Sequence, residues 1–223
     1  NIHEVSRMSI REAMDFFGRH RFHLPPWARW GKKEWMENRE AAGEIFNNKL
    51  GWDLTDFGSG DFYTIGLLLF TIRNGSPGDP QGKGYAEKVM IVREGQVTPW
   101  HFHWSKMEDI INRGGGNLVI ELANSTPDEK LAGGRVQVQV DGLTRSVEAG
   151  GKIVLTPGES ISLPAYLYHK FYGEAGKGTV MVGEVSMVND DDKDNRFLDP
   201  IGRFPVIDED EEPLYYLCNE YPV

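Results

Sequence analysis

The sequence predicts an all-β protein, an antiparallel jelly roll or barrel, with helices at its N-terminal end. From residue 61 onward, short apolar or alternating segments are separated by turns rich in glycine and proline, which is typical of such folds. One hairpin signal is strong, because Asp141-Gly142 joins two alternating segments. Before residue 61, apolar residues recur at helical spacing instead.

The N-terminal part of the chain is predicted to hold two helices. Residues 9–12, Ser-Ile-Arg-Glu, form a capping box, which predicts a helix of about two or three turns that starts there and stops near Gly18. A second helix is predicted over residues 33–47. Three tryptophans are expected to pack this region onto the barrel or onto a second subunit: Trp27, Trp30 and Trp35.

The length of 223 residues suits one structural domain, since all-β barrels of this size often form a single unit. We expect residues 1–60 to form a helical arm packed on the outside of a barrel made by residues 61–223. The chain ends in an aromatic tail, PLYYLCNEYPV, which is expected to dock on the protein. The acidic run 208–212 is predicted to be a surface stretch.

The predicted barrel strands follow one another at short intervals. They cover residues 62–72, 85–93, 116–122, 135–140, 143–147, 152–155, 160–163, 168–172 and 179–188. In the second of these strands Lys88 shares a face with Met90 and Val92. Because a barrel interior is mostly apolar, an inward lysine needs a chemical reason; otherwise it is an exposed residue of an edge strand.

Composition argues against several classes of partner. A formal net charge of −10 disfavours nucleic acid and anionic membrane surfaces. The single cysteine, Cys218, leaves no internal disulfide and fits a reducing compartment. Neither a membrane-spanning apolar run nor a signal-peptide pattern is visible. We therefore expect a cytoplasmic protein that binds neither nucleic acid nor membrane.

The stretch GQVTPWHFHWSKMEDIINRG, residues 95–114, carries the strongest chemical signal. His101 and His103 are two residues apart, so on a strand both imidazoles point to one face. Glu108 can bring a carboxylate to the same point, and His169 is the unused histidine of the second half of the chain. Imidazoles with one carboxylate suit Zn, Mn, Fe, Co or Ni. A His-x-His pair alone, however, is more often two ordinary strand histidines.

The spacing around these residues resembles the paired motifs of the cupin superfamily. The first motif comprises Gly95, His101, His103, Glu108 and Gly114, and the second comprises Gly158, Pro164 and His169. Tyr166 and Gly173 depart from the usual second motif, in which a glycine and an asparagine are common, but neither is a ligand position. The resemblance implies a double-stranded β-helix, the cupin jelly roll, around a metal site.

Other charged residues near these motifs are candidates for chemistry. Lys106 stands between His103 and Glu108 and could reach a bound anion or hydroxyl. Glu184 lies in the apolar strand VMVGEVSMV, so it is either paired or has a raised pKa. The aspartates of NDDDKDNRF, residues 189–197, either form a solvated loop or line the barrel mouth.

Longer segments extend the resemblance to the D-lyxose isomerases, a cupin family of aldose–ketose isomerases. They are EKVMIVREGQVTPWHFHWSKMEDIINRGGGNLVIEL, SLPAYLYHKFYGE, GEVSMVNDDDKDNRF and the aromatic tail. The resemblance implies Mn(II)-dependent interconversion of D-lyxose and D-xylulose, with D-mannose and D-fructose as a second pair and Zn(II) or Co(II) as alternative metals. Trp100 either stacks on the sugar or packs behind the site.

The expected site residues then fall into three groups. By the resemblance, the metal ligands are His101, His103, Glu108 and His169. The expected catalytic residues are Lys88, Lys106 and Glu184. The expected substrate-binding residues, chosen by position rather than by a motif, are Trp100, Asp190, Asp194 and Arg196.

Two other functions fit the same ligand set. A cupin dioxygenase would use Fe(II) and oxygen, and a non-catalytic sugar-binding cupin would need only the cavity. The second is disfavoured because such proteins often lack a ligand. For an isomerase, the sequence is compatible with proton transfer through an enediol and with a hydride shift. A homodimer is expected, since cupins commonly pair through their sheets.

Overall fold

The computed structural model describes residues 2–203 and 213–222. The helical elements lie at the N-terminal end: α1 (Ile2–Arg19), a 3-10 helix (Pro26–Arg29), α2 (Lys32–Glu37) and α3 (Gly43–Asn47). The strands are β1 (Gly51–Thr55), β2 (Leu67–Arg73), β3 (Tyr85–Val92), β4 (Thr98–Phe102), β5 (Glu108–Gly115), β6 (Leu118–Ala123), β7 (Arg135–Val140), β8 (Leu143–Glu148), β9 (Gly151–Leu155), β10 (Ser160–Leu163), β11 (Tyr168–Gly173), β12 (Val180–Met187) and β13 (Arg196–Phe197). In this part of the chain, no helix has both the length and the apolar character needed to cross a membrane.

The strands form two antiparallel sheets. Over the described ranges, the larger sheet has the order β1-β2-β3-β12-β5-β10-β7-β8 and the smaller has the order β13-β4-β11-β6-β9. Strands far apart in sequence are neighbours, as where β12 pairs with both β3 and β5. This arrangement of two facing sheets confirms the predicted all-β jelly roll.

Strand alternation decides which side chains enter the barrel. On β3, Met90 points inward to a cluster of buried apolar side chains drawn from both sheets. Val89 points the other way, into a second buried cluster shared with α1. Lys88 is buried and has the parity of Met90, so it also faces the interior. Glu184 of β12 is its Cα partner across the sheet.

The helical arm covers the outer face of the large sheet. Ile10, Ala13 and Phe17 of α1 are buried in the same cluster as Phe70 of β2. The ring centroids of Trp27 and Phe70 are 5.0 Å apart. Large aromatic and aliphatic side chains thus hold the helices outside the barrel, as predicted.

The C-terminal tail docks on the arm, which confirms that prediction. The ring centroids of Trp35 and Tyr221 are 4.5 Å apart, and the Tyr221 hydroxyl donates to the carbonyl oxygen of Leu50 at 2.6 Å. Leu217 forms a parallel bridge with Trp52 on β1. The predicted acidic surface run, residues 208–212, lies outside the described residues.

Several local predictions were wrong. The first helix begins at Ile2, so Ser9 lies inside it and does not cap it. The second predicted helix is two short helices separated by turns over residues 38–42. The strand predicted from residue 62 begins at Leu67. Strands β1, β5 and β13 were not predicted.

Candidate metal centre

Three strands bring the predicted ligands to one point inside the barrel. His101 lies on β4 and is the Cα partner of His169 on β11, so their rings face the interior side by side. His103 follows directly after β4, and Glu108 is the first residue of β5. All four side chains are buried. Sheet pairing therefore joins a histidine from a distant strand to the three residues of the first motif.

The ligand atoms are close enough to share one ion. One atom from each of the four side chains lies within 4.8 Å of every other. Nε2 of His103 and Nε2 of His169 each lie 3.1 Å from Oε1 of Glu108. Atoms about 2 Å from one ion stand roughly 3 Å apart when they bind it at right angles. The spacing is therefore that of a mononuclear site.

Backbone carbonyl groups orient the three imidazoles. In each ring Nδ1 donates to a carbonyl oxygen: His101 to Pro99 at 2.8 Å, His103 to Asp194 at 2.8 Å, and His169 to Leu167 at 3.0 Å. Because a carbonyl only accepts, Nδ1 carries the proton, and neutral imidazole then has a lone pair at Nε2. Lone pairs that converge on a carboxylate repel unless a cation lies between them, so this arrangement fits a metal.

The protonation states also fit a metal. Although Nε2 of His169 lies 3.1 Å from Glu108, it has no hydrogen-bond partner in the described chain, as expected of two acceptors. Burial and the neighbouring imidazoles lower the pKa of His101 well below its usual value. Burial alone would raise the pKa of Glu108, but Lys106 and His103 outweigh it and hold that pKa well below its usual value. Neutral imidazoles and an ionised carboxylate are the forms that bind metals.

A series of alternating charges leads from the ligands along the barrel wall. Nζ of Lys106 lies 3.2 Å from Oε2 of Glu108 and 3.4 Å from Oε2 of Glu184. Nζ of Lys88 lies 3.7 Å from the same Glu184 oxygen. Burial would lower the pKa of Lys106, but the carboxylates of Glu184, Glu108 and Asp191 outweigh it and raise that pKa. Lys106 is therefore a permanently charged donor beside the ligand site.

Asp191 and Arg203 belong to the same network and were not predicted. Asp191 lies 3.5 Å from Nζ of Lys88 and 3.4 Å from the Arg203 guanidinium, which also donates to Asp53. Burial would raise the pKa of Asp191, but Lys88 and Arg203 outweigh it and hold that pKa far below its usual value. The aspartates in residues 189–197 allowed the prediction that some of them line the site, but not which ones. Arg203 stands in a stretch with no motif.

The charged groups and three of the ligands open into one narrow cavity. Its apolar wall is made by Phe57, Leu67, Leu69, Met90, Phe171 and Phe197. The space open to water in it is ≈ 40 Å³, which suits roughly three water molecules.

Comparison with known sequences identifies the family. The chain matches the family model described as D-lyxose isomerase over residues 4–221. The chain belongs to the D-lyxose isomerase family. A D-lyxose/D-mannose isomerase of Serratia proteamaculans is 54% identical over 214 residues, which cover 95% of this chain and 94% of that protein. A protein of the same name from Escherichia coli O157:H7 is 55% identical, with 92% of each chain covered.

Membership of the D-lyxose isomerase family confirms the predicted enzyme class, a sugar isomerase. Two L-ribose isomerase structures are similar in fold. A mutant of the Acinetobacter sp. DL28 protein, in complex with L-ribose, has a TM-score of 0.58 at 14% identity and covers 89% of this chain and 92% of that one. The Cellulomonas parahominis protein with L-ribose has a TM-score of 0.56 at 17% identity, with 85% and 89% covered. These likenesses show that the chain shares the barrel fold of the two proteins.

Three of the predicted substrate residues lie outside the cavity of this D-lyxose isomerase family member. Trp100 alternates with His101 on β4, so its ring packs on the outer face of the strand. The Asp190 carboxylate accepts backbone N–H bonds inside its own turn. Arg196 lies on β13 with its guanidinium 3.7 Å from Glu129. None of the three lines this cavity, and their contacts with substrate stay predictions.

Of the other four predicted site residues, three line the cavity and one does not. Lys88, Lys106 and Glu184 line the cavity beside the ligands, and their catalytic roles stay predictions. Asp194 contacts the ligand loop rather than the cavity. Manganese, the homodimer and the cytoplasmic location also stay predictions.

Proposed function

We propose that the chain interconverts D-lyxose and D-xylulose, with D-mannose and D-fructose as a second pair, in a reaction that depends on Mn(II). The observation that carries this proposal is the convergence of four ligand atoms within 4.8 Å, with the imidazole lone pairs turned inward. The names of the relatives at 54% and 55% identity supply the sugars. The ion would be held by His101, His103, Glu108 and His169, a set that also accepts Zn(II) or Co(II).

Glu184 is the residue that we assign to the carbon-bound proton. Turning an aldose into a ketose moves one proton from C2 to C1 and a second from O2 to O1. When bound, a divalent ion polarises the sugar carbonyl and the adjacent hydroxyl and stabilises negative charge on them. Oε2 of Glu184 takes the proton from C2 and returns it to C1. Two lysine ammonium groups, 3.4 and 3.7 Å away, fix the direction of this carboxylate.

Lys106 is assigned to the sugar oxygens. Its raised pKa keeps Nζ protonated, so it donates a hydrogen bond to the oxygen on which charge develops. The proton that leaves O2 passes to O1, and Nζ of Lys106 stays protonated throughout. Lys88 lies on the other side of Glu184 and donates to the neighbouring oxygen. The apolar wall of the cavity excludes water, which strengthens each of these interactions.

The proposal is tested with metal-stripped protein reloaded with Mn(II) and incubated with a panel of pentoses and hexoses. Chromatography is expected to detect D-xylulose from D-lyxose and D-fructose from D-mannose, and neither after chelation. His169→Ala should lower kcat/KM by at least ~100-fold, because it removes a ligand of the ion. His23→Ala is the matched control, since His23 is exposed and outside the site. Conversion of no sugar in the panel would refute the proposed activity, and full conversion after chelation would refute the metal requirement.

The proton route is tested in heavy water. Transfer through Glu184 exchanges the moving proton with solvent, so deuterium is expected in the product and in recovered substrate. A hydride shift between C1 and C2 keeps the original hydrogen. Product free of carbon-bound deuterium, seen by NMR, would exclude an enediol route that exchanges with solvent.

A further inference from the structure

Asp194 makes three hydrogen bonds to the ligand loop, residues 103–107, which joins β4 to β5. Its backbone oxygen accepts Nδ1–H of His103 at 2.8 Å. Its carboxylate accepts the backbone N–H of Ser105 at 2.9 Å and that of Lys106 at 3.1 Å. The residue is buried but does not line the cavity. One residue from a distant segment therefore holds a metal-ligand ring, through its backbone oxygen, and the backbone of the charged lysine, through its carboxylate.

The segment that contains Asp194 accepts hydrogen bonds from both the backbone N–H and the side-chain ammonium of Lys106. Asn189, five residues earlier, accepts a hydrogen bond from Nζ of Lys106 at 2.7 Å. The Asp194 carboxylate fixes the backbone from which that side chain starts. Charge-assisted bonds to backbone N–H groups are among the stronger hydrogen bonds, and a buried N–H without a partner is unfavourable. Loss of the carboxylate would therefore release the loop.

We propose that Asp194 is a positioning residue, which aims His103 at the metal and keeps Nζ of Lys106 between Glu108 and Glu184. The inference rests on the proposed function, because it concerns a metal ligand and a lysine of that site. It replaces the expected substrate contact of Asp194 with an indirect role. The sugar touches Lys106, and Asp194 acts through it.

The test compares Asp194→Ala and Asp194→Asn with the control Asp192→Asn. Asp192 lies in the same segment, but its carboxylate is half-exposed and pairs with Lys49. Metal-stripped protein is titrated with Mn(II) by calorimetry and with Co(II) by visible absorption, and kinetics are measured with D-lyxose. Folding is verified by circular dichroism, and if the alanine variant does not fold, the asparagine variant decides.

Asp194→Ala keeps the backbone oxygen that accepts from His103 but frees the N–H groups of Ser105 and Lys106, so Mn(II) binding is expected to weaken by about 10-fold, the low end of the range for loss of a group that orients a ligand. The Co(II) spectrum should change, and kcat should fall while KM stays within about twofold of wild type. Asp194→Asn keeps one carboxamide oxygen, so its effects should be smaller but in the same direction. The control should match wild type in all three measurements.

Two outcomes would overturn the inference. The first is wild-type Mn(II) affinity and an unchanged Co(II) spectrum in both Asp194 variants. The second is a raised KM with kcat and metal affinity intact, which would mean that the carboxylate contacts the sugar. Failure of the wild-type protein to bind either metal would instead contradict the proposed function, so the two failures are distinguishable.

Discussion

Pairing of opposite charges allows ionised residues to lie inside the barrel. Lys106 lies between Glu108 and Glu184, and Lys88 lies between Glu184 and Asp191, with separations of 3.2 to 3.7 Å. A buried charge without a partner costs several kcal/mol, whereas a paired one is tolerated. Replacement of one member therefore affects its neighbours as well as its own function.

Glu184→Gln tests the proposed proton carrier at the level of a single atom. The amide keeps the size of the side chain but cannot accept a proton from carbon, so kcat is expected to fall by roughly 10²- to 10⁴-fold. Mn(II) affinity should not change, because Glu184 is not a ligand. Steady-state kinetics and calorimetry provide the two readouts. Glu87→Gln is the control, since Glu87 pairs with Arg73 outside the site. If Glu184→Gln turned over substrate at the wild-type rate, the assignment of Glu184 as the proton carrier would be contradicted.

Asp191→Asn should lower the free energy of unfolding by about 2 kcal/mol at pH 7, because two buried cations lose a charged acceptor. The pKa of Asp191 is depressed in the folded state, so the carboxylate stabilises that state above its unfolded pKa of about 3.9. This contribution is lost as the pH falls below that value. Urea denaturation measures the free energy of unfolding of the variant and of wild type at pH 7 and near pH 3. The difference between the two proteins should be smaller near pH 3. An equal difference between the variant and wild type at the two pH values would contradict this account. The control Asp192→Asn should leave the free energy of unfolding unchanged at either pH.

The elements that sequence reasoning missed are those whose pattern depends on distant partners. Strand β1 is buried at every position, so it lacks the alternation that marks a half-exposed strand. Its Asp53 resembles a loop residue until Arg203 is known to pair with it. The β7–β8 hairpin was predicted correctly because its signal is local. Asp141 and Gly142 both have positive φ, 51° and 80°, as that turn requires.

The junction between β1 and the C-terminal tail is expected to be sensitive to a single methyl group. Gly51 has φ of +112°, and a Cβ there would lie 2.1 Å from the Tyr221 hydroxyl. Gly51→Ala should therefore destabilise the protein by about 2 kcal/mol or more, through backbone strain and displacement of the tail. Gly133→Ala, where the space is open and φ is ordinary, should change stability by less than about 0.5 kcal/mol. Denaturant unfolding measures the stability of both variants, and an equal loss in the two would contradict the account. Adding Tyr221→Phe to Gly51→Ala should restore part of the lost stability.

At the scale of the whole molecule, the predictable part of the site is the part set by strand parity and sheet pairing. Of the four ligands and the three charged candidates, five lie on strands, where periodicity tells which side chains face inward, and His103 directly follows a strand, whereas Lys106 lies in the ligand loop. Asp191, Asn195 and Arg203 come from the segment that follows β12. Tertiary contacts, rather than a motif, decide which of its residues reach the cavity. Of the aspartates of that segment, Asp191 lines this cavity, whereas Asp190 and Asp194 do not.

Metal binding should stabilise the entire barrel, because the ligands come from both sheets: His101 and His169 from the smaller and Glu108 from the larger. An ion that binds only the folded state adds about 2.7 kcal/mol at a free concentration of 100 times its Kd. Thermal unfolding of stripped protein should therefore shift upward as Mn(II) is added. His169→Ala should abolish most of the shift by removing one of the four ligands, while His23→Ala should retain it. If added Mn(II) left the melting temperature of the wild-type protein unchanged, the four side chains would converge for a reason other than metal binding.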